Sequence, residues 1–179
     1  MLRPLRELDE PIFDMSNRLP YTELQQLFDP FFPKGELRYY WKALYIDRLD
    51  DEVARELSAA VARRPSAMSM VTIWALGGAM ARVDGSATAV GGREAPYVVE
   101  VLANWKEAAS TEANVSWARQ LFESLHRFSS GKPNLNFPGF ADEGPRLVRA
   151  AFGPQYDRLL ALKRKHDPQN LFRLNQNIT

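Results

Sequence analysis

The sequence predicts an α+β fold in which an antiparallel β-sheet is covered on one face by helices. Segments rich in β-branched and aromatic residues, at 37–46, 67–76 and 97–105, predict the strands of this sheet. Apolar residues that recur at helical spacing in residues 50–64 and 111–129 predict the helices that cover it. The chain has 179 residues and is 45% hydrophobic. Because this is enough to bury a substantial core, we expect a single domain.

The first part of the chain is irregular before it enters the sheet. Residues 1–20 contain several prolines and no sustained period, which predicts an entry segment packed over other elements. Residues 21–28 predict a short helix that two following prolines end. The helix at 50–64 begins behind an acidic cap at Asp50 and ends before Pro65.

The second half contains the remaining elements. The strand at 67–76 runs into a Gly-Gly pair, and a further edge strand is predicted at 87–90, after an Asp-Gly turn. The long helix at 111–129 precedes glycines and prolines that predict an irregular loop at 131–139. Two short helices are predicted last, at 143–151 and 156–166.

Composition excludes several classes of function. The 23 basic and 22 acidic side chains nearly cancel, so no global field would attract nucleic acid or acidic membranes. Cysteine is absent, which excludes disulfides, thiolate metal sites and any attachment of a cofactor through a cysteine of this chain. The two histidines, His126 and His166, match no metal-binding motif. We therefore expect no metal site.

The sequence also predicts no contact with membranes. No apolar run approaches the roughly 20 residues of a membrane span. The amino-terminal residues include Arg3, Arg6 and Glu7 instead of the apolar core of a signal peptide. We expect a cytoplasmic protein.

Glu100 is the sharpest candidate for a catalytic residue. Its neighbours on both sides in the strand at 97–105 are apolar, so the carboxylate lies in a segment that otherwise favours burial. Burial disfavours the charged form of a carboxylate, and a carboxylate in this condition beside a substrate can act as a general base. The alternative is a glutamate on a sheet face that points to water or pairs with an arginine, and the pattern alone favours this ordinary role.

Aromatic residues alternate along the predicted strands. Tyr39, Trp41 and Tyr45 share the spacing of one strand face, and Trp74 lies in the next predicted strand. Such rings could stack on an aromatic or sugar substrate. A sheet face covered by helices would use them as core just as readily, and the pattern favours core.

The carboxy-terminal residues carry the most specific pattern of the chain. A helix with the sequence Tyr-x-Arg-Leu begins at Tyr156, and the pattern Asp-Pro-x-Asn-x-Phe-Arg-x-Asn-Gln-Asn-Ile runs from Asp167 to Ile178. This long, ordered signature resembles the carboxy-terminal segment of the berberine bridge enzyme-like FAD-linked oxidases. In that family the segment ends a chain far longer than 179 residues. The resemblance therefore implies the back half of a flavoenzyme, without the half that holds most of the cofactor.

The resemblance implies a single substrate-binding-type domain over residues 1–179, with 128–179 as the berberine bridge enzyme-like segment. In the family, the strand that corresponds to 97–105 carries a polar or acidic base on the face towards the flavin. Counting back from Trp105 in that pattern places the base at Glu100.

The same resemblance assigns further residues to the cofactor or the substrate. Asn136 matches a family asparagine that approaches the flavin ring, and the tail residues Asn175 and Asn177 lie where the family tail folds onto the cofactor domain. Asn134 stands where a tyrosine is usual, so this chain lacks that phenol. Without the resemblance, both loop asparagines would be read as turn residues. The sheet forms the floor of the family's substrate site, which implies substrate contacts for the aromatic residues Tyr39, Trp41 and Trp74.

Two functions from different classes follow. The first is the substrate-binding portion of an FAD-dependent oxidoreductase that oxidises an alcohol or an activated C–H bond. Its partners would be a small-molecule substrate and an FAD-binding half or subunit, and the isolated chain would bind FAD weakly or not at all. The second is a non-catalytic domain derived from that family, which binds a small molecule or a protein. A sheet face left exposed by the missing flavin half would then be covered by a partner or by a homodimer.

Overall fold

The computed structural model describes residues 3–7, 17–129, 131–139, 144–174 and 177–179. It divides into two compact units, Met1–Gly35 and Glu36–Thr179. All the elements predicted for the sheet and its helices lie in the second unit. The single-domain assignment of residues 1–179 stays a prediction.

The described residues of the first unit, 3–7 and 17–35, include two helices of four residues each, α1 (Arg3–Arg6) and α2 (Tyr21–Leu24). The helix predicted at 21–28 is therefore shorter than expected. Turns follow α2, and a 3-10 helix at Asp29–Phe31 accommodates Pro30 in its first turn. Pro30 cannot donate a backbone hydrogen bond, so an α-helix cannot continue through it without losing a bond.

The second unit contains a four-stranded antiparallel sheet in the order β2-β3-β1-β4. Its elements in chain order are β1 (Arg38–Ile46), α3 (Asp51–Ala62), β2 (Met70–Ala75), α4 (Gly78–Ala81), β3 (Tyr97–Trp105), α5 (Thr111–Leu125), β4 (Pro133–Pro138), α6 (Gly144–Phe152) and α7 (Tyr156–His166). The predicted α+β class, an antiparallel sheet with helices packed on one face, is confirmed.

The helices α3 and α5 pack on one face of the sheet, which we call the helix face. Alternate residues of the two central strands lie there, because antiparallel partners share a face. Leu44 pairs with Val99, and both are fully buried against side chains of α3 and α5 such as Val53 and Leu125. Lys42 also lies on this face, with its ammonium 4.2 Å from the centre of the Phe122 ring. None of the helices in the described ranges is long and apolar enough to cross a membrane.

Two segments have a different structure from the one predicted: a predicted loop is a strand, and a predicted strand is not. Residues 131–139, predicted as a loop, contain β4, whose recorded pairs with β1 are Lys42–Pro138 and Leu44–Pro133, with a register shift between them. Prolines cannot donate to a strand ladder, so edge strands that contain them resemble loops in sequence. Residues 87–90, predicted as an edge strand, form no strand. There the Asp84 carboxylate accepts the Ser86 N–H at 2.7 Å, a local turn that competes with strand pairing.

Helix α3 begins at the predicted cap. The Oδ1 atom of Asp50 accepts the N–H groups of Glu52 and Val53, both at 3.1 Å. These bonds satisfy two amides that have no partner inside the helix. They also hold the pKa of the Asp50 carboxyl below its ordinary value, with the Val53 bond as the largest cause.

The carboxy-terminal tail is closed onto α7 by Asp167. Its two carboxylate oxygens accept the N–H groups of Leu171 at 2.7 Å and Phe172 at 3.1 Å, and the Lys163 ammonium contacts both this carboxylate and the Phe172 carbonyl. Further on, the Thr179 carbonyl accepts the hydroxyl of the buried Tyr156 at 2.7 Å. The tail is thus tied to both ends of α7.

We expect Asp50→Ala to lower the melting temperature by about 2–4 °C, because two first-turn amides of α3 lose their acceptor. Asp51→Ala removes an acidic residue one position later, which makes no cap bond, and should change the melting temperature less. Thermal unfolding followed by circular dichroism measures both variants. Equal melting temperatures for the two would contradict the cap.

The tail closure at Asp167 should depend on pH. The Lys163 hydrogen bond, with smaller contributions from the Leu171 and Phe172 amides, lowers the pKa of Asp167 in the folded chain. The closure is then fully present above the ordinary carboxyl pKa of about 4 and is lost as pH falls through the lower folded value. Amide hydrogen exchange of Leu171 and Phe172 reports this loss, with the amide of Leu160 inside α7 as the internal control. Unchanged protection of the two tail amides in Asp167→Ala would show that another contact closes the tail.

Candidate active site

The face of the sheet opposite the helix face carries the predicted catalytic glutamate, and we call it the Glu100 face. Strand pairing assigns its members: Glu100 pairs with Ala43 on one side and with Thr72 on the other. The side chains that share this face are Tyr39, Trp41, Ala43 and Tyr45 from β1, Val98, Glu100, Leu102 and Asn104 from β3, and Met70, Thr72 and Trp74 from β2. The structure therefore brings Glu100 and the three predicted aromatic substrate residues onto one surface.

Glu100 lies in the middle of this surface and is half-buried. Its Oε2 atom accepts a hydrogen bond of 2.6 Å from the Thr72 hydroxyl. Among the described residues its hydrogen-bond partner is thus a threonine on the neighbouring strand, and the arginine pairing considered from sequence is not observed. The carboxylate is held on one side by Thr72, while Ala43 on the other side offers only a methyl group.

Trp41 is fixed in orientation by a buried amide. Its indole N–H donates to Asn104 Oδ1 at 2.7 Å, and the Asn104 amide nitrogen donates to the Met68 carbonyl at 3.1 Å. Asn104 is fully buried, so its polar atoms must be paired and cannot move without loss. The Trp41 ring also contacts the rings of Tyr39 and Phe137, at centroid distances of 5.1 and 5.7 Å. Trp41 is therefore a rigid aromatic platform beside Glu100.

The interpretation of these aromatic residues as core is wrong. Tyr39 and Trp41 are half-buried and Trp74 is 50% exposed, whereas the core is formed by alternate strand residues on the helix face. The alternation in the sequence correctly places these aromatic residues on one strand face, but it does not indicate which of the two faces the helices cover. These rings therefore lie on the Glu100 face, outside the core that α3 and α5 cover.

Tyr45 supplies a phenol on the same face. Burial, followed by the nearby Glu94 carboxylate, raises the pKa of Tyr45 above its ordinary value, so this phenol stays protonated and can donate a hydrogen bond. Its ring packs against Gly92, where a Cβ atom would lie 2.5 Å from the ring. Gly92 also has a φ of +74°, so both space and backbone conformation favour glycine there.

The asparagines predicted to bind the cofactor or the substrate have different surroundings in the structure. Asn134 Oδ1 accepts the backbone N–H of Asn136 at 3.0 Å, which is the local turn chemistry considered as the alternative, and Asn136 is exposed. Asn177 has a buried Oδ1 atom without a hydrogen-bond partner in the described part of the chain. Asn175 lies outside the described residues. No contact in the described ranges joins Asn134, Asn136 or Asn177 to Glu100.

Thr72 and Asn104 are site residues that the sequence interpretation missed. Both lie inside predicted strands, but nothing in a strand pattern indicates which residue of the next strand lies opposite. The pairing of Thr72 with Glu100 and of Asn104 with Tyr39 follows only from the register. A small polar residue within an apolar strand is the one signal that could have selected them.

The described residues fit part of an FAD site. The buried, unpaired Oδ1 of Asn177 can accept a hydrogen bond from a bound group, and the Glu100 face offers an aromatic wall. A diphosphate cradle is not recognisable in the described ranges: Gly77 and Gly78 have positive φ but precede a helix of only four residues. The same ranges contain no cluster of three or more His, Cys, Asp or Glu residues that could hold a metal ion.

Comparison with known sequences agrees with the resemblance. Residues 135–179 match the family described as "Berberine and berberine like". The FAD-linked oxidoreductase YgaK of Bacillus subtilis (strain 168) is 29% identical over 181 residues, which cover 99% of this chain and 39% of YgaK. Tetrahydroberberine oxidase of Berberis wilsoniae is 28% identical over 182 residues, covering 91% of this chain and 33% of that protein. The chain thus spans well under half the length of these relatives.

Solved structures of the same group share the fold. BBE-like number 28 from Arabidopsis thaliana superposes with a TM-score of 0.76 at 19% identity, over 99% of this chain and 44% of that one. Wild-type BBE-like 1 from Physcomitrella patens superposes with a TM-score of 0.69 at 23% identity, over 79% of this chain and 30% of that one. Together with the sequence matches, which include the tail signature, these superpositions show that the chain is similar in sequence and fold to part of the berberine bridge enzyme-like FAD-linked oxidoreductases, whose family model matches residues 135–179.

Proposed function

We propose that this chain is the substrate-binding portion of an FAD-dependent oxidoreductase that oxidises an alcohol or an activated C–H bond, with Glu100 as its general base. One observation carries the proposal: a half-buried carboxylate lies at the centre of an aromatic sheet face, with one oxygen held by Thr72. Names of relatives support the class of reaction, since they include a tetrahydroberberine oxidase, a monolignol oxidoreductase and a chitooligosaccharide oxidase.

The aromatic residues orient the substrate in this mechanism. The rigid Trp41 ring, fixed by Asn104, provides a flat surface against which a substrate ring stacks. Tyr39 extends this surface through its edge contact with Trp41, and the exposed Trp74 lies two residues beyond Thr72 on β2. Their common effect is to hold the reacting bond of the substrate near Glu100.

Glu100 moves the proton. Its carboxylate takes a proton from the substrate while the substrate is oxidised. The protonated Tyr45 can donate a hydrogen bond to a substrate oxygen. FAD, when bound, supplies the hydride acceptor, which is the part of the chemistry that no side chain can provide. Asn136, Asn175 and Asn177 would contact this cofactor, and Asn134 would contact the substrate.

The partner in this proposal is an FAD-binding half. Two observations support it: the described residues offer no recognisable diphosphate cradle, and the chain spans only 39% of the length of YgaK. In the alternative, a non-catalytic domain that binds a small molecule or protein, a partner or a second copy covers the same face. The exposed Trp74 ring favours this alternative to the same degree. FAD binding and proton transfer distinguish the two.

The isolated chain should not bind FAD tightly. Without a diphosphate site it lacks the contacts that dominate dinucleotide binding, so the dissociation constant should be weaker than about 1 μM, or roughly −8 kcal/mol. Calorimetric titration of the chain with FAD measures this, and the same titration after addition of an FAD-binding half is the positive control. Submicromolar binding by the chain alone would refute the proposal that FAD is bound mainly by a separate FAD-binding half.

In the assembled enzyme, Glu100→Gln should slow flavin reduction by about 10²–10⁴-fold, the usual contribution of a general base. Glutamine keeps the size and a hydrogen-bond acceptor for Thr72 but cannot take a proton at neutral pH. Substrate affinity should change little, because the proton is transferred in the transition state.

Rapid-mixing measurement of flavin bleaching compares this variant with Glu107→Gln, an exposed glutamate just beyond the end of β3. The Glu107 variant should reduce flavin at the normal rate. If Glu100→Gln did the same, Glu100 would be a structural sheet carboxylate and the non-catalytic alternative would gain support.

A further inference from the structure

We propose that Thr72 is a positioning residue that selects which oxygen of Glu100 receives the proton. The proposal rests on the function proposed above for Glu100, and it assigns a specific task to a residue of the neighbouring strand. Thr72 would not touch the reacting atoms. It would act by holding the carboxylate in one orientation.

The geometry of the pair supports this task. Thr72 and Glu100 are direct partners in the pairing of β2 with β3, so their side chains leave the sheet side by side on the Glu100 face. The hydroxyl donates to Oε2 at 2.6 Å, the short distance typical of an O–H group that donates to an ionised carboxylate. Threonine is branched at Cβ and therefore stiff about χ1, which makes it a better support than a flexible side chain.

The residues opposite Glu100 on β1 and next to it on its own strand face are apolar. Across the opposite strand pair lies Ala43, which has no polar side-chain atom. The next residues along β3 on the same face are Val98 and Leu102, both apolar and buried. In the described ranges the hydroxyl of Thr72 is thus the hydrogen bond that determines how the carboxylate is turned.

This single bond has a chemical consequence. The Thr72 hydroxyl can donate one hydrogen bond, and its acceptor is Oε2. The lone pairs of Oε1 remain for the substrate: the substrate O–H or C–H bond breaks, its electron pair stays with the substrate, and a new O–H bond forms at Oε1.

The first test uses the enzyme assembled with its FAD-binding half and compares Thr72→Val with Thr72→Ser. Valine has the shape of threonine without the hydroxyl. Thr72→Val should lower the limiting rate of flavin reduction about tenfold with KM nearly unchanged, because the carboxylate loses its fixed orientation. Thr72→Ser should restore the rate.

Ile73→Val is the matched control for this experiment. It is an equally small change on the same strand, but Ile73 pairs with Val99 and belongs to the helix face. Its rate of flavin reduction should equal that of the unaltered enzyme. Failure of Thr72→Ser to restore the rate, or the same loss in Ile73→Val, would mean that Thr72 is merely structural and would overturn the proposal.

A second test needs no flavin and uses the chain alone. Urea unfolding of Thr72→Val, Glu100→Gln and the double variant forms a cycle that isolates the interaction between the two side chains. We expect the unfolding equilibrium constant to rise about tenfold on Thr72→Val at neutral pH, and clearly less when Glu100 is already glutamine, because bonds to ionised groups are the stronger ones. Equal effects in both backgrounds would overturn the proposal, whatever the enzyme does.

The two tests separate this inference from the function on which it rests. If Glu100→Gln slows flavin reduction but Thr72→Val leaves the rate unchanged, Glu100 is the base and Thr72 does not position it. If neither variant changes flavin reduction, the proposed function itself fails. If coupling appears in the unfolding cycle, and the limiting rate falls with Thr72→Val at nearly constant KM and returns with Thr72→Ser, the positioning role is supported.

Discussion

The pairing of β1 with β3 is the constraint on which the rest of the second unit depends. The two strands run antiparallel over their full lengths, from Arg38 opposite Trp105 to Ile46 opposite Tyr97. Because side chains alternate between faces, a slip of one residue would move every core side chain to the other side. Fully buried residues such as Leu44 and Val99 make such a slip costly, since each apolar side chain of this size contributes about 1.5–3 kcal/mol on burial. The same register that buries these residues therefore places Glu100 on the opposite face.

Two tryptophans reinforce this register, because each packs its apolar ring and also donates its indole N–H to a neighbouring element. Trp117 of α5 is buried in the core and donates its indole N–H to the Ala60 carbonyl of α3 at 2.9 Å. Trp105, at the end of β3, donates to the Thr111 hydroxyl in the first turn of α5 at 3.1 Å. Each ring buries a large apolar area while its single donor is satisfied. The helices α3 and α5 are thus fixed in position on the helix face. A rigid sheet can hold catalytic groups on its other face more accurately than a loop can.

Several polar groups on the Glu100 face are paired with one another or with the backbone. Asn104 is fully buried, and besides its side-chain bonds its backbone exchanges hydrogen bonds with the Ser69 hydroxyl at 3.0 and 3.2 Å. An unpaired amide at this depth would cost about 1–3 kcal/mol. Glu100 and Thr72 satisfy each other in the same way. These pairs turn a sheet face that could have been simply apolar into a surface with defined chemistry.

Much of this fold can be derived from the sequence, because local patterns carry it. The strands that became β1 and β3, and the helices that became α3 and α5, follow from apolar periods and from the Asp50 cap, all of which are properties of neighbouring residues. Glu100 is the candidate base because it interrupts an apolar strand, and the resemblance to the berberine bridge enzyme-like oxidases depends on the long, specific sequence pattern from Asp167 to Ile178. Each of these conclusions needed only residues that are close in the chain.

The tertiary structure decided what depends on residues far apart in the chain. Strand β4 exists because its proline-flanked segment lies along the edge of β1, whereas residues 87–90 form no strand. Periodicity places Tyr39 and Trp41 on one face but cannot say that the helices cover the other. The partners of Glu100 and Trp41, Thr72 and Asn104, lie 28 and 63 residues away along the chain. Only the strand register determines such pairs, because it is set by the burial of the whole helix face and not by any local sequence.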